Sequence, residues 1–418
     1  MTFKNNVKAI QSAIYVLTII WTSSAIAAEG VPSIFKEERC FGETVPIKKP
    51  GPVTFPPYPD PGPIPSPVVI DCSETPGPFS CPAYRNQIFY NPFNKDSIYH
   101  IPLACGLRYA GDNDATTRAW KANSFGNFKI GCTDSPVSTR DFCDENGHPI
   151  FIAPPGTPTE VVQKFGPGNG LPVTLRIPAD AKIHLDRGGG KDATASIFYP
   201  DTNQVHVLYG YSYEASGPSA ERYLNYSGIG TGHPNSPGDP DVGTPASGVG
   251  NWLGILRGHE VHATGHDFNH RFKIAVVRKD NQGPAHILGR GFHLPANGTD
   301  GGITASENLG PFNYGDIVAL PPNIDVDSLP LSEPGKRFAR AMQQYGVILA
   351  DGGPNGIRGD QSLELAARDL MQRDFRLIWD MMRRVEDFTS NEDFNEAVRN
   401  GKIGPGLPMG PNCAFNAP

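Results

Sequence analysis

Residues 196–213, SIFYPDTNQVHVLYGYSY, restrict the fold more than any other segment of the chain. Two runs rich in β-branched and aromatic residues flank the turn-forming residues PDTN, and this pattern predicts an antiparallel β-hairpin. Similar runs at 171–178, 270–279 and 313–322 predict further strands. Gly (47) and Pro (42) exceed a fifth of the chain without a regular period, which is typical of a fold with many turns. We therefore expect a mainly β fold.

The C-terminal part of the chain has a helical pattern instead. Ser332 is a predicted helix N-cap, and Pro334 follows in the first turn. Apolar residues then recur at helical spacing at Phe338, Met342, Tyr345 and Leu349. The strongest helical stripe, within 361–388, consists of Leu363, Ala367, Leu370, Met371, Phe375, Ile378, Met382 and Val385. We predict an antiparallel, jelly-roll-like β-sandwich with C-terminal α-helices packed on it.

The N-terminus predicts export. Lys4 and Lys8 precede an apolar stretch, Ala13–Trp21, and the small residues AIAA follow it, which is the pattern of a secretory signal peptide. We expect a secreted or periplasmic protein whose mature form has no integral membrane segment. Removal of the two lysines makes the formal net charge of −7 two units more negative. An acidic protein is a poor partner for nucleic acid or an anionic membrane.

Cysteine and proline mark the segment that follows the predicted signal. The seven cysteines are Cys40, Cys72, Cys81, Cys105, Cys132, Cys143 and Cys413. Export makes disulfides the expected state, but the count is odd and spacing does not determine the pairing. Residues 45–67 are rich in Pro and predict an extended linker. The predicted organisation is a signal peptide (1–28), a Pro-rich extension with cysteines (29–83), a β-sandwich domain (84–332) and a helical region packed on the same domain (333–418).

Residues 257–272, RGHEVHATGHDFNHRF, are rich in histidine. The four histidines are His259, His262, His266 and His270. A zincin helix needs the motif HExxH, and His259 with Glu260 begins it correctly, but Ala263 occupies the place of the second histidine. If the stretch is a strand, His266 and His270 lie on the same face of it. They are then about 13 Å apart, which is too far for both to bind one metal ion. We predict a loop that carries Glu260 and then a strand that carries His270.

Five segments resemble a family of secreted bacterial proteins of unassigned activity. They correspond to family motifs of the form NPWN, GLVRxxEV, GEIxHALRF, WPARH and YGMILADNG. The segments are NPFNKDSIYHIPL (91–103), GILRGHEV (254–261), GHDFNHRFKIAV (265–276), GRGFHLPA (289–296) and QQYGVILADGGPNG (343–356). The resemblance implies that Glu260, Asp267, His270, His293 and Asp351 occupy the family's polar positions. Between 192 and 209 this sequence lacks the charged DxH and YEL patterns of the family.

The main functional prediction is a carbohydrate-active enzyme that cleaves extracellular polysaccharide, as a glycoside hydrolase or a polysaccharide lyase. Hydrolysis needs one protonated and one ionised carboxyl group, for which Glu260 with Asp267, or either with Asp351, is the candidate pair. Elimination needs a base, for which His270 or His293 is suitable. The basic residues that would neutralise a uronate are Arg257, Arg271 and Arg290.

Two other functions remain open. The first is a metal-dependent hydrolase or oxidase that uses His259, His262 and His266, so a divalent metal is a possible cofactor although no motif firmly implies one. The second is a non-catalytic secreted binding protein. The sequence contains no GxSxG nucleophile elbow and no P-loop. The sugar, its linkage, the choice between hydrolysis and elimination, and the oligomeric state stay undetermined.

Overall fold

The computed structural model describes segments that all belong to one compact unit of the chain, Tyr58–Pro418. The segments are 68–69, 88–89, 99–100, 102–103, 107–123, 129–130, 148–185, 193–227, 245–251, 254–262, 268–276, 287–296, 298–299, 310–352, 356–363 and 365–388. The predicted signal peptide, all seven cysteines and nearly all of the extension 29–83 lie outside the described residues. Export and disulfide formation therefore stay predictions.

Strands predominate over helices in the described residues. The α-helices are α1 (Ala115–Ala122), α2 (Gly258–His262), α3 (Glu333–Gln344) and α4 (Leu365–Trp379). The strands are β1 (Val68–Val69), β2 (Ile88–Phe89), β3 (Lys129–Ile130), β4 (Ile150–Ile152), β5 (Thr159–Lys164), β6 (Val173–Arg176), β7 (Ala195–Tyr199), β8 (Gln204–Tyr209), β9 (Ser212–Glu214), β10 (Gly217–Ala220), β11 (Arg222–Ser227), β12 (Phe272–Val276), β13 (Leu288–Phe292), β14 (Phe312–Tyr314), β15 (Ile317–Ala319), β16 (Val347–Gly352), β17 (Gly356–Ile357) and β18 (Arg383–Arg384).

The predicted hairpin is confirmed. β7 and β8 pair antiparallel, and Tyr199 lies opposite Gln204, so the residues between them form the turn. Asn203 has a φ of 54°, a left-handed conformation that asparagine adopts more readily than most residues. The hairpin is extended by β11 on one side and β4 on the other, in the order β11-β8-β7-β4.

This four-stranded middle sheet packs between two other sheets. An outer sheet has the order β6-β5-β10-β9, and a six-stranded third sheet has the order β18-β15-β16-β12-β17-β3. Val162 of the outer sheet and Ile197 of the middle sheet belong to one apolar cluster. Val207 of the middle sheet and Ile348 of the third sheet belong to another. Because side chains alternate along a strand, each face of the middle sheet contributes to a different core.

The helices cover the opposite face of the third sheet. Val347 and Leu349 of β16 share an apolar cluster with Phe338 of α3 and Phe375 of α4. β16 is therefore buried on both faces, which explains its continuous apolar run VILA. The three larger sheets of the described segments and one helical layer therefore pack in successive layers.

Two tryptophans join α1 to α4 at the edge of this stack. The rings of Trp120 and Trp379 are parallel, with centroids 4.0 Å apart. The indole Nε1 of Trp120 donates to the carbonyl of Trp379 (2.9 Å), and the reverse hydrogen bond is 3.2 Å long. The pair thus buries two large aromatic surfaces while both indole donors are satisfied.

The mainly β prediction is confirmed, and the antiparallel prediction holds only in part. Within the middle, outer and third sheets, respectively, β4 runs parallel to β7, β5 to β10 and β12 to β16. The long crossover from β12 to β16 contains α3, as a parallel connection requires. No sheet closes into a barrel within the described segments, and the jelly-roll arrangement is not confirmed.

The predicted helix after Ser332 is confirmed, but it is shorter than the apolar spacing indicates. The Ser332 side chain accepts a hydrogen bond from the Gly335 amide, as an N-cap does. The helix ends at Gln344, and Gly346 has a φ of 70°, which lets the chain turn directly into β16. The helical assignment of Leu349 was wrong, because this residue lies on β16.

The second predicted helix is also shorter than its apolar stripe. α4 ends at Trp379, so Met382 and Val385 lie beyond it, although both are buried in the core. Among the residues that the structure describes, we find no helix with the length and apolar character that a membrane crossing requires.

Candidate functional site

The predicted loop around Glu260 is a single helical turn, α2, which contacts α4. Arg337 of α3 binds the C-terminal end of this turn. Its Nη1 donates to the carbonyl of Glu260 (3.0 Å) and its Nη2 to that of Val261 (2.9 Å). The guanidinium also lies 5.3 Å from the centre of the Phe268 ring. A helical turn this short is not stable alone. The buried Arg337 binds the carbonyls at its C-terminal end, which have no partner within the helix.

Glu260 and His270 form a buried hydrogen-bonded pair. His270 Nε2 lies 2.8 Å from Glu260 Oε1, and Glu260 Oε2 accepts from the amide of Arg257 (3.2 Å). His270 Nδ1 lies 3.2 Å from the carbonyl oxygen of Arg271. Both partners of the ring are acceptors, so the imidazole donates from both nitrogens when the two groups form an ion pair.

The electrostatic surroundings keep Glu260 ionised. Burial by itself raises the pKa of this carboxyl group. The charge and the hydrogen bond of His270 oppose burial, together with the charge of Arg257, and lower the pKa to about 2. Glu260 is therefore a carboxylate at any physiological pH.

A second carboxyl group, Asp360, reaches the same helical turn from the segment 356–363. Asp360 Oδ1 accepts from the amide of Gly258 (3.3 Å), and from the amide (3.0 Å) and the hydroxyl (2.6 Å) of Ser362. Its environment has the opposite effect to that of Glu260. Burial raises the pKa of Asp360 to about 6, although the hydroxyl of Ser362 and the charge of Arg257 lower it.

The two carboxyl groups are close neighbours. Glu260 binds the amide of Arg257, and Asp360 binds the amide of Gly258, which is the next residue. Consecutive backbone nitrogens are less than about 4 Å apart, so these two oxygens are at most about 10 Å apart. The turn thus brings together an ionised carboxylate and one that binds a proton close to neutral pH.

The remaining histidines of the stretch have different positions. His259 is buried beside Glu260, and burial lowers its pKa to about 3, so its imidazole is neutral. The side chain of His262 and the whole of His266 lie outside the described residues. No group of three histidine, cysteine or acidic side chains that could hold a metal ion occurs among the described residues.

His293 belongs to a different pair. His293 Nε2 lies 2.8 Å from Asp316 Oδ1, and its Nδ1 lies 2.8 Å from the carbonyl oxygen of Leu294. Asp316 lies in the turn between β14 and β15, and its Oδ2 accepts a hydrogen bond from the amide of Asn313 on β14. The side chain of Asp316 is fully buried.

The two histidine–carboxylate pairs lie on opposite sides of β16, next to β12 and β15. His270 precedes β12, whose Phe272 lies opposite Val347. Asp316 precedes β15, and its carbonyl accepts from the amide of Leu349. Extended along β16, these registers separate the two pairs by four residues, or about 13 Å. His270 and His293 therefore belong to separate clusters.

The other acids that the sequence predicts are Asp351 and Asp267. Asp351 forms an ion pair with Arg358, with Oδ2 and Nη2 3.2 Å apart. Asp267 lies outside the described residues. Asp360 and Asp316, the partners that complete the two clusters, were missing from the sequence-based candidates.

The strand after His270 differs from its prediction in where it begins and in what surrounds it. β12 begins at Phe272, so His270 lies before the strand. Arg271 is buried and donates from Nε to the carbonyl of Tyr345. Lys273 is also buried, on the face toward the middle sheet, and its Nζ donates to the carbonyls of Gly250 (2.9 Å) and Asn251 (2.8 Å). The side chain of Arg290 is outside the described residues.

A further polar cluster lies between the middle and third sheets. His148 Nε2 is 2.7 Å from the hydroxyl of Ser196, and both residues are fully buried. Burial and the charges of Lys273 and Arg358 keep the pKa of His148 well below its usual value. The sequence carries no local signal for this cluster, because its members come from distant segments of the chain.

The fold and these contacts define a layered, mixed-sheet β protein in which two carboxyl groups and one histidine cluster around α2. No family model matches the chain, and comparisons with curated proteins and with solved structures gave no match.

Proposed function

We propose that the protein is an exported glycoside hydrolase that cleaves an extracellular polysaccharide. Asp360 is the proton donor, Glu260 is the ionised carboxylate that attacks the sugar, and His270 positions Glu260. The predicted export signal and the resemblance to secreted bacterial proteins supply the setting of this proposal. Asp360 takes the place that the sequence assigned to Asp267 or Asp351.

One observation carries the proposal: neighbouring carboxyl groups have proton affinities that differ strongly. The pKa of Glu260 is lowered to about 2, and that of Asp360 is raised to about 6. Glycosidases need this difference, because one carboxyl group must give a proton while the other stays ionised. The limit of about 10 Å on their separation is compatible with the spacing found in such enzymes.

The reaction that these groups support is a double displacement. In the hydrogen bonds of the described residues Asp360 accepts through Oδ1, which leaves Oδ2 to carry the proton of the acid. Asp360 gives this proton to the glycosidic oxygen as the bond to the sugar C1 breaks and a Glu260 oxygen bonds to C1. Water then attacks C1, returns a proton to Asp360 and releases Glu260. Glu260 is too weakly basic to activate water efficiently, which favours its role as nucleophile.

The same contacts favour hydrolysis over elimination. Elimination needs a base and a cation that neutralises a uronate. Both nitrogens of His270 already face acceptors, and Arg271 donates to a backbone carbonyl in the core. Neither group is arranged for that chemistry.

The proposal is tested by digestion of a polysaccharide panel with the full-length protein. New reducing ends report cleavage by either reaction, and ultraviolet absorbance reports the unsaturated product that elimination alone forms. We expect Asp360→Asn and Glu260→Gln each to lower the rate of reducing-end release by about 10²- to 10⁴-fold. Asp201→Asn, which changes a carboxylate paired with Arg176 on the hairpin, serves as the matched control.

Three results would overturn the proposal. Ultraviolet absorbance that increases in proportion to the new reducing ends would identify a lyase. Unchanged turnover in Asp360→Asn, together with a lower unfolding temperature, would show that the carboxyl cluster only anchors α2. That second result would place catalysis elsewhere in the protein. A protein that releases no product from any polysaccharide of the panel would instead be a non-catalytic binding protein.

A further inference from the structure

Ser362 links the second carboxyl group to the helical turn that carries the first. Its hydroxyl donates to Asp360 Oδ1 (2.6 Å) and accepts from the amide of Gly258 (3.0 Å). The backbone amide of Ser362 also donates to Asp360 Oδ1 (3.0 Å). A continuous relay therefore runs from the backbone of α2 through this hydroxyl to the carboxyl group.

Two effects of opposite sign act on the proton of Asp360. The residue is only 6% exposed, and burial favours its neutral form. The Ser362 hydroxyl donates to the carboxylate and favours the ionised form; it is the strongest influence that lowers the pKa of Asp360. A hydroxyl that itself accepts from an amide is polarised and becomes a better donor.

The hydroxyl can be separated from the turn in which it lies. An aspartate that binds the amide two residues later forms a common local turn, and any residue supplies that amide. The hydroxyl supplies the shorter bond to Asp360 Oδ1 and the contact with Gly258. Replacement of Ser362 by alanine therefore removes one influence on the carboxyl group and keeps the turn.

We propose that Ser362 is a positioning residue whose hydroxyl sets the proton affinity of Asp360 and thereby the upper pH limit of the reaction. This inference rests on the proposed function, because the pH limit exists only if Asp360 is the proton donor. Activity then falls as the pH rises and Asp360 loses its proton. Loss of the hydroxyl moves this limit to higher pH.

The test combines a titration with an activity profile. The full-length protein is labelled with ¹³C at aspartate carboxyl groups, and the Asp360 signal is assigned by its loss in Asp360→Asn. In Ser362→Ala we expect the titration midpoint of Asp360 to rise by about one pH unit, since hydrogen bonds to charged groups have this magnitude. The alkaline limb of the kcat profile moves by the same amount. Ser362→Thr, which keeps a hydroxyl at a half-buried position, retains the wild-type midpoint.

The outcomes distinguish a failure of the role proposed for Ser362 from a failure of the role proposed for Asp360. An unchanged midpoint in Ser362→Ala overturns the inference. A raised midpoint with an unchanged kcat profile overturns Asp360 as the proton donor, and with it the pH limit. If the alanine variant does not fold, Ser362→Cys replaces it, because a thiol of similar size is a weak donor. A wild-type midpoint in the cysteine variant also overturns the inference.

Discussion

The two buried histidine–carboxylate pairs use the same local geometry. In both, Nε2 lies 2.8 Å from a carboxylate oxygen. In both, Nδ1 contacts the backbone carbonyl of the following residue, which is Arg271 after His270 and Leu294 after His293. The histidine and the acid alone do not distinguish the pairs.

Their surroundings distinguish them. The carboxylate of Asp316 is fully buried and accepts from an amide of its own turn. The side chain of Glu260 is 12% exposed. Glu260 and Asp360 accept hydrogen bonds from the consecutive amides of Arg257 and Gly258 at the start of α2. A carboxylate that is oriented by a histidine needs a second titrating group nearby before the two can act as an acid and a base. The difference therefore supports the catalytic role that we propose for the Glu260 pair and a stabilising role for the Asp316 pair.

The largest expected effect comes from a substitution that breaks the pair formed by Asp316 and His293. Asp316→Ala leaves His293 buried without its carboxylate, and we expect the free energy of unfolding to fall by about 3–5 kcal/mol. Denaturant unfolding followed by tryptophan fluorescence measures this loss. Turnover per folded molecule is retained, because the register separates the two pairs by about 13 Å.

His270→Ala is the matched comparison. It removes the same kind of contact, but the partly exposed Glu260 can be hydrated, so the loss of stability is smaller than in Asp316→Ala. Its main effect is on turnover. If Asp316→Ala abolished turnover of a folded protein while His270→Ala left it unchanged, the roles of the two pairs would have to be exchanged.

The next effect concerns buried histidines that have no carboxylate partner. His206 Nδ1 lies 2.8 Å from the hydroxyl of Tyr223. Burial, with a contribution from Arg176, lowers the pKa of His206 to about 4, whereas an unfolded histidine has a pKa of about 6.5. As the pH falls below about 6.5, the unfolded state binds a proton that the folded state does not. Stability then decreases by about 1.4 kcal/mol per pH unit until the pH approaches 4.

His206→Gln isolates this contribution. Between pH 6.5 and 4.5, unfolding free energies of the variant should depend less on pH than those of the wild type. The Glu260 pair does not interfere, because a lowered carboxyl pKa contributes stability that is lost only as the pH falls below about 4.5. Parallel curves for the two proteins across this range would contradict a neutral His206.

The comparison also explains how far sequence patterns predict this molecule. The hairpin, the N-cap at Ser332 and the start of α3 depend on neighbouring residues, and these predictions are confirmed. The sheet order and the parallel pairs depend on contacts between distant segments, which periodicity does not contain. Leu349 has helical spacing because β16 is apolar on both faces, and a buried strand and a buried helix then have the same pattern.

The site was only half predictable for the same reason. Glu260 and His270 lie in one conspicuous stretch, and both were named. Asp360 lies a hundred positions further along the chain than Glu260. Its local sequence, Asp-Gln-Ser, predicts a turn, but nothing local predicts the burial that raises its pKa. The resemblance named His293 together with His270, whereas the structure places His293 in hydrogen-bond contact with Asp316.

The smallest effect tests whether α3 holds the Glu260 pair in place. Arg337→Lys keeps the positive charge but cannot bind the carbonyls of both Glu260 and Val261 with a planar fork. We expect the free energy of unfolding to fall by about 1–2 kcal/mol. We also expect kcat to fall about tenfold, because small displacements of a reacting group have effects of this size or larger.

Arg340→Lys on the same helix is the control. Arg340 pairs with the exposed Asp327, so this change should alter stability by less than about 0.5 kcal/mol and leave kcat unchanged. The corresponding Asp316 pair is held by the turn between β14 and β15 and has no contact with Arg337 among the described hydrogen bonds. Arg337→Lys should therefore lower turnover more than the loss of stability explains. Equal kcat in the two lysine variants would show that the Glu260 pair keeps its position without α3.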